Sequence, residues 1–398
     1  MAYAVTTRTS RLLSAASSTL DEHAGLVGAL PWRGGVGRLI ADVQAAGLTG
    51  RGGAGAPTWR KLATVATTER PVVVANAADS EPASAKDVTL LTRCPHLVLD
   101  GLQLAVETVG ATAVYLYVKP GPAAGKAREA LAERAAKRWD QFPVRVVEAE
   151  ESFVAGEESA VRARIEGPCA RAFPRRRRHV RPVLDGRALL VQNVETLAHL
   201  AQIARHGPGW FRRLGTAAEP GTFLTTVSGA VAQPGVYEVP IGIPASDLIR
   251  LAGGTRGRPR AVLLGGYHGT WLPAATLGDA PLSRAGLGSL GAGPGTGVVV
   301  LSSAAQCGLA ETAGIVRYLV AQRTRQCGPC RTGLPAIAAR LEDLVHGRGE
   351  TLPQLASLVA GHGACRHLDG AANLVRSALV AFDREIGLHR RSLCSAPD

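Results

Sequence analysis

The sequence predicts an α/β domain built on a mostly parallel sheet, followed by a small β-rich module and a C-terminal helical bundle. Three observations carry that expectation. Apolar strand-like runs alternate with helical spacing up to about residue 150; short strands separated by turn residues begin near residue 215; and amphipathic segments fill the chain from about 308. A chain of 398 residues is also too long for one core, so two or three domains are expected. Aromatic residues make up only 4%, so the cores must rest on Ala, Leu and Val.

Taken in order, GRLIADVQAAG reads as a helix ending at Gly47, and a glycine-rich loop follows it. PVVVANAADSEP (71–82) is an apolar, β-branched run that stops at Asn76, the pattern of a buried parallel strand with polar residues at its carboxyl end. HLVLDGLQLAVETVG (96–110) has helical spacing, TAVYLYV (112–118) is a second buried strand, GPAAGKAREALAERAAKRW (121–139) an amphipathic helix, and VRVVEA (144–149) a third strand. Parallel sheets of this kind bind ligands at the carboxyl ends of their strands. NVETLAHLAQIARHG (193–207) reads as a capped helix. TFLTTVSGAV, GVYEVPIG, SDLIRLAGG and AVLLGGYHGTWLP then read as strands around one helix. A Gly-rich linker (287–295) precedes a last strand at 297–303, and four helical segments close the chain.

No run of 18 uncharged apolar residues appears, and the first 20 residues lack the apolar core of a secretory signal. A cytoplasmic protein is expected. The net charge of +13 suits an acidic partner, although an Arg-rich composition gives the same balance. The Arg175–Arg178 run has no nucleic-acid motif or stacking aromatics around it, so it reads as a docking patch for an acidic protein or as a solvated loop, and nucleic acid is not expected. Seven cysteines with no signal peptide argue against a disulfide framework.

Five constellations offer chemistry. GRGGAG (50–55) can point backbone amides at a phosphate, with Arg51 and Lys61 adding charge, although many such turns are only structural. Asn76, Asp79 and Glu81 stand at a strand's ligand edge. Gly156-Glu157-Glu158 opens a helix, where carboxylates are favoured by the dipole whether or not they meet a ligand. Asn193 is an N-cap candidate, with Thr196 at the capping-box position. Cys327 and Cys330, with Cys365 later, offer three thiolates to zinc or an iron–sulfur cluster.

In this order the constellations resemble the flavin-bearing, NADH-oxidising component of respiratory complex I, the family of NADH-quinone oxidoreductase F subunits, over roughly residues 30–390. The resemblance implies a Rossmann-like FMN/NADH domain (1–215), a β-grasp module of the soluble-ligand-binding type (216–303) and a helical iron–sulfur bundle (304–398). It implies FMN and nucleotide binding by Gly50, Arg51, Gly52, Gly53, Gly55 and Lys61. Asn76 and Glu81 would meet flavin and NADH. Phe153, Gly156, Glu157 and Glu158 would flank the flavin ring and nicotinamide, with Asn193 and Thr196 at the flavin phosphate. Glu81 and Glu158 are the expected catalytic acids. Electrons would pass from NAD(H) through FMN to the cluster and on to an acidic carrier, such as a ferredoxin or a thioredoxin-like [2Fe-2S] protein, with no insertion into a membrane. The alternative is a degenerate, non-catalytic paralogue serving assembly.

Four departures from the family pattern bear on this. Ala56 replaces an aromatic, Ala78 an Asp, Gln192 an Asn, and Thr324 the first cysteine of C-x-x-C-x-x-C. Three thiolates suit a [3Fe-4S] cluster, or a [4Fe-4S] cluster with one non-Cys ligand. Cys307 is a candidate for the fourth thiolate.

Overall fold

The computed structural model describes residues 3–5, 7, 9–167, 183–303, 305–348, 361–363 and 365–394. The Arg175–Arg178 run, Cys169 and most of the third predicted bundle segment lie outside these residues.

Two sheets organise the chain. In the first, β2 (Val72–Ala77), β3 (Ala113–Val118), β4 (Arg145–Glu148), β5 (Val183–Leu184) and β6 (Arg187–Asn193) take the order β4-β3-β2-β6-β5. All neighbours are parallel except the short β5 edge. The uninterrupted apolar run in β2 has a direct cause: both faces are covered. Val73 and Ala75 face a helical layer that includes Pro95–Val109 and Val194–Phe211, while Val72 and Val74 face Val161 and Ala155 on the other side. The two helices touch so closely that a Cβ on Gly101 would lie 1.9 Å from the Leu197 carbonyl oxygen, so only glycine fits there.

A buried carboxylate locks this layer. Asp100 accepts from Arg134 Nη2 at 2.8 Å, bonds His23 Nε2 at 2.8 Å and pairs with Arg205. Burial opposes its ionisation, but His23, Arg134 and Arg205 together hold its pKa well below the usual carboxylate range.

The second sheet has the order β1-β8-β7-β11-β9-β10, using β1 (Tyr3–Val5), β7 (Thr222–Gly229), β8 (Gly235–Pro240), β9 (Ala261–Leu264), β10 (Thr270–Pro273) and β11 (Val298–Leu301). Two features go beyond the sequence reading or differ from it. The order of strands was not read from the sequence: β11, the last in the chain, enters the middle of the sheet, parallel to β7 and antiparallel to β9. The start of the chain, expected within the first domain, adds a parallel edge strand to this second sheet. The segment after β1 is pinned by the buried Glu238 carboxylate, which accepts from the amides of Arg11, Leu12 and Leu13 and from the Thr222 hydroxyl.

The helix Ala245–Leu251 covers one face of this sheet. The other face is covered by helices Gly308–Ala321, Leu334–Val345 and His367–Ala381, which pack on Leu263 and Trp271. No helix among the described residues is long and apolar enough to cross a membrane.

The first and second sheets meet at a buried lysine. Lys86 opens the helix Lys86–Arg93 and places its ammonium 2.7 Å from Asp87 Oδ1, 3.1 Å from Glu195 Oε2 and 3.3 Å from Asn193 Oδ1. Glu195 Oε1 accepts from the Leu224 amide of β7 at 2.8 Å, and Thr226 Oγ1 of β7 accepts from the Ala85 amide at 3.0 Å. Burial alone pulls the Lys86 pKa down, but Asp87 and Glu195 more than reverse it, so the ammonium stays charged.

Replacing Lys86 by Met keeps the volume but leaves two buried carboxylates without their cation. Lys86→Met is expected to cost about 3–5 kcal/mol in urea unfolding. A loss below about 1 kcal/mol would mean that the lysine does not hold the junction.

Candidate functional site

The order of the first sheet creates a crevice. The chain runs from β2 outward through β3 and β4, then returns to β6 on the other side of β2. At such a reversal the connections diverge and leave a gap above the carboxyl ends of the two central strands. Here those ends are Asn76 and Asn193, register partners on neighbouring strands.

A cleft of about 540 Å³ opens at this point, within the range of cofactor pockets. The glycine-rich loop, the turn at Gly156-Glu157-Glu158, the end of β6 and the start of helix Val194–Phe211 line it.

The loop is closed on itself. The Gly50 amide donates to the Ala56 carbonyl at 2.9 Å, and the Thr58 amide to that of Leu48 at 3.0 Å. Gly53 and Gly55 adopt φ of 93° and 63°, a left-handed backbone that strongly favours glycine. Arg284 reaches across from the second sheet's module and donates to the Gly53 carbonyl at 2.7 Å.

The helix N-terminus faces the same cleft. Asn193 caps it, its Oδ1 accepting from the Glu195 amide at 3.0 Å. Thr196 does not close a capping box; its hydroxyl accepts instead from the Arg51 amide at 2.9 Å and ties the glycine loop to the helix. Backbone amides and the positive end of the helix dipole therefore converge where Gly50 and Gly52 line the cleft, a site suited to an anion.

On the opposite wall, Asn76 Nδ2 donates to the Gly156 carbonyl at 2.9 Å. A Cβ on Gly156 would lie 2.3 Å from the Ala78 carbonyl oxygen, so the close crossing requires glycine. Glu157 caps the helix Glu158–Glu166 through the Ser159 and Ala160 amides. Glu158 pairs with Lys61, Nζ to Oε2 at 3.1 Å, and both are partly exposed to the cleft.

Of the residues expected to bind flavin or nucleotide, Gly50, Gly52, Gly55, Lys61, Asn76, Gly156, Glu157, Glu158, Asn193 and Thr196 line this cleft. Four others are placed elsewhere. The Arg51 guanidinium turns away, donating to Thr49 and the Pro220 carbonyl, so it braces the loop rather than charging the cleft. Gly53 lies on the loop's outer side against Gly295. Phe153 packs into the helical core between His268, Tyr318 and His367, with ring centroids 4.5, 6.2 and 5.5 Å away. Glu81, expected to act as a catalytic acid, accepts from the Tyr267 amide at 2.7 Å and the Ala83 amide at 3.1 Å, pinning the β9–β10 turn.

Three residues of importance were given no role from the sequence. Lys86 and Asp87 line a smaller cavity that shares Gly52, Asn76, Gly156 and Asn193 with the cleft. Arg366 lines the cleft itself. A basic residue directly after Cys365 was the available signal for Arg366. Lys86 and Asp87 close the motif that begins at Asn76, but the pairing of Lys86 with Glu195, distant in the chain, left no local mark.

Arg366 also connects the cleft to the cysteines, because Cys365 precedes it. Burial raises the Cys365 thiol pKa against the His367 amide that donates to it, with Cys330, Cys327 and Glu157 as smaller contributions in the same direction as burial. Cys330 is buried in the wide helical turn Pro329–Gly333, and the Arg331 amide bonds back to the Cys327 carbonyl at 3.0 Å. Cys307 is grouped instead with His389 and Cys394. It caps the start of helix Gly308–Ala321, roughly 20 Å long at ~1.5 Å per residue, whereas Cys327 follows the helix's far end.

Comparison with known proteins agrees with this layout. The Nuo51 FMN-binding domain family matches residues 43–202, the SLBB domain family 224–266, and the NADH-ubiquinone oxidoreductase-F iron-sulfur binding region 310–389. The second NADH-quinone oxidoreductase F subunit of Rhizobium meliloti is 31% identical over 374 residues, covering 88% of each chain. The NADH-quinone oxidoreductase F subunit of Streptomyces coelicolor is 30% identical over 379 residues, covering 88% of this chain and 82% of the relative. A crystal structure of an NAD+-reducing [NiFe]-hydrogenase in the H2-reduced state superposes with a TM-score of 0.78 at 30% identity; the match covers 88% of this chain and 62% of the hydrogenase chain.

Burial, with help from Asp79, pushes the Glu81 carboxyl up to about 7 against the two amides that donate to it. The folded state then holds a proton that the unfolded chain releases near 4.5, so stability falls as pH rises from about 4.5 to about 7. Unfolding measured across that window should show this slope, and Glu81→Gln should flatten it. An unchanged slope in the variant would remove Glu81 as its source.

Proposed function

Because the chain belongs to the family of NADH-quinone oxidoreductase F subunits, we propose that it is the NADH-oxidising flavoprotein component of an electron-transfer complex, holding FMN in the cleft and an iron–sulfur cluster on Cys327, Cys330 and Cys365. The observation that carries this reading is the adjacency of cleft and cysteines through Cys365 and Arg366.

The residues present fit a flavin mononucleotide. Its phosphate suits the amides of the glycine loop and the helix N-terminus at Asn193 and Thr196. Asn76 fixes the Gly156 carbonyl in the wall, where the close approach to the Ala78 carbonyl requires glycine. When bound, FMN would supply the chemistry that accepts a hydride from NADH and releases electrons one at a time. Glu158 and Lys61 hold each other in orientation at the cleft wall, and Arg366 adds a second cation to the lining. Glu81 acts through the β9–β10 turn as a positioning residue. Ala56 leaves an open stretch of wall where the family has an aromatic, so NADH is held by charge and hydrogen bonds more than by stacking.

Three thiolates suit a [3Fe-4S] cluster, or a [4Fe-4S] cluster whose fourth iron takes a non-Cys ligand. The onward acceptor is an acidic electron carrier, of the ferredoxin or thioredoxin-like [2Fe-2S] kind, and the +13 charge supports that match. The protein works in the cytoplasm as part of a complex.

Lys61→Ala is expected to weaken FMN binding about tenfold or more, the loss of a charge-assisted contact, while the melting temperature of the flavin-free protein stays unchanged. Fluorescence titration with FMN measures this; equal affinity in the variant would take Lys61 out of the site. Anaerobically purified protein should also carry about three or four irons per chain, and less than about one would remove the cluster from the proposal.

A further inference from the structure

The C-terminal bundle gathers a second set of soft donors away from the cleft. Cys307 caps helix Gly308–Ala321, His389 ends helix Asp383–His389, and Cys394 follows in the exposed tail. Their ligand atoms all lie within 4.8 Å of one another, the one such triad among the described residues.

We propose that Cys307, His389 and Cys394 form a mononuclear zinc site, separate from the iron–sulfur cysteines, that ties the C-terminal tail to the start of the bundle.

The donor set fits the metal. Two thiolates and one imidazole form a tetrahedral zinc site when water takes the fourth position, and the exposed Cys394 leaves that position open to solvent. The imidazole is already oriented for the purpose. His389 Nδ1 bonds the Val345 carbonyl, which can only accept, so the ring proton sits on Nδ1. Nε2 then presents its lone pair toward Cys307 Sγ, 3.2 Å away. A carbonyl that fixes the histidine tautomer is a recurrent support of zinc sites.

Glu385 supports the same turn without completing the triad. Its Oε2 accepts from the Gly308 amide at 2.9 Å and lies 3.7 Å from Cys307 Sγ, while Oε1 pairs with Arg260 Nη1 at 2.8 Å. Position also separates this site from the cluster. Cys307 and Cys327 flank opposite ends of one helix, so a metal here does not share the ligands of Cys327, Cys330 and Cys365. The consequence is mechanical: the metal fastens residues after His389 onto the bundle that presents the cluster cysteines.

The full-length protein, grown with zinc and dialysed against a weak chelator, tests this by elemental analysis. About one zinc per chain is expected in the wild type and in Cys330→Ser, and almost none in Cys307→Ser or Cys394→Ser. Cys394 lies in an exposed tail, so its variant reports on the metal rather than on folding. Loading Co(II) in place of zinc should give the intense visible bands of tetrahedral thiolate coordination in the wild type and not in Cys394→Ser. Three results would overturn the proposal: zinc unchanged in both cysteine variants, zinc lost only in Cys330→Ser, or a Cys307–Cys394 disulfide in zinc-free native protein.

Discussion

The buried Lys86 is the interaction on which the rest of the structure depends. Its ammonium bonds Asp87 on its own helix, and Asn193 and Glu195 where β6 passes into the next helix. Glu195 passes the connection to the amide of Leu224 in the second sheet. One cation therefore fixes the end of β6, the start of the helix that faces the cleft, and the position of the neighbouring module. A buried charge is costly unless fully partnered, and here every partner is a group that must be held in place for the cleft to exist. Asn193 shows the coupling most directly, since it caps the helix, bonds Lys86 and Asp87, and lines the cleft at once.

From that junction the function follows by position. The strand reversal opens a gap above Asn76 and Asn193, the glycine loop supplies amides, and the helix supplies a favourable field for an anion. The C-terminal bundle packs on one face of the second sheet, with Phe153 in the same core, and places Arg366, directly after Cys365, in the cleft lining. The cleft and Cys365 thus lie on adjoining elements, so the proposed flavin and cluster would need no large motion to pass electrons between them.

The sequence made the frame legible because burial writes a local pattern. A β2 strand covered on both faces must be apolar throughout, the helices must repeat at 3.6, and the cap at Asn193 needs only its own neighbours. What it could not show depends on partners far away in the chain. The place of β11 between β7 and β9 and the pairing of β1 with β8 are long-range choices that leave no local mark. The same holds for side-chain direction. Arg51 belongs to the right loop but points at Pro220, Glu81 follows the right strand but meets Tyr267, and Phe153 precedes the right turn but enters the helical core. Motif spacing locates the backbone near a site; only the packing around each side chain decides whether it faces the ligand.

The central claim is that this cleft holds a flavin reducible by NADH despite Ala56. An anaerobic absorption titration of the purified, FMN-loaded protein with NADH tests it most directly. The account expects the flavin bands to bleach with about one equivalent of NADH per bound FMN. A flavin that stays oxidised in excess NADH, or a protein that binds no FMN at all, would contradict it and favour a non-catalytic paralogue that kept the fold for assembly.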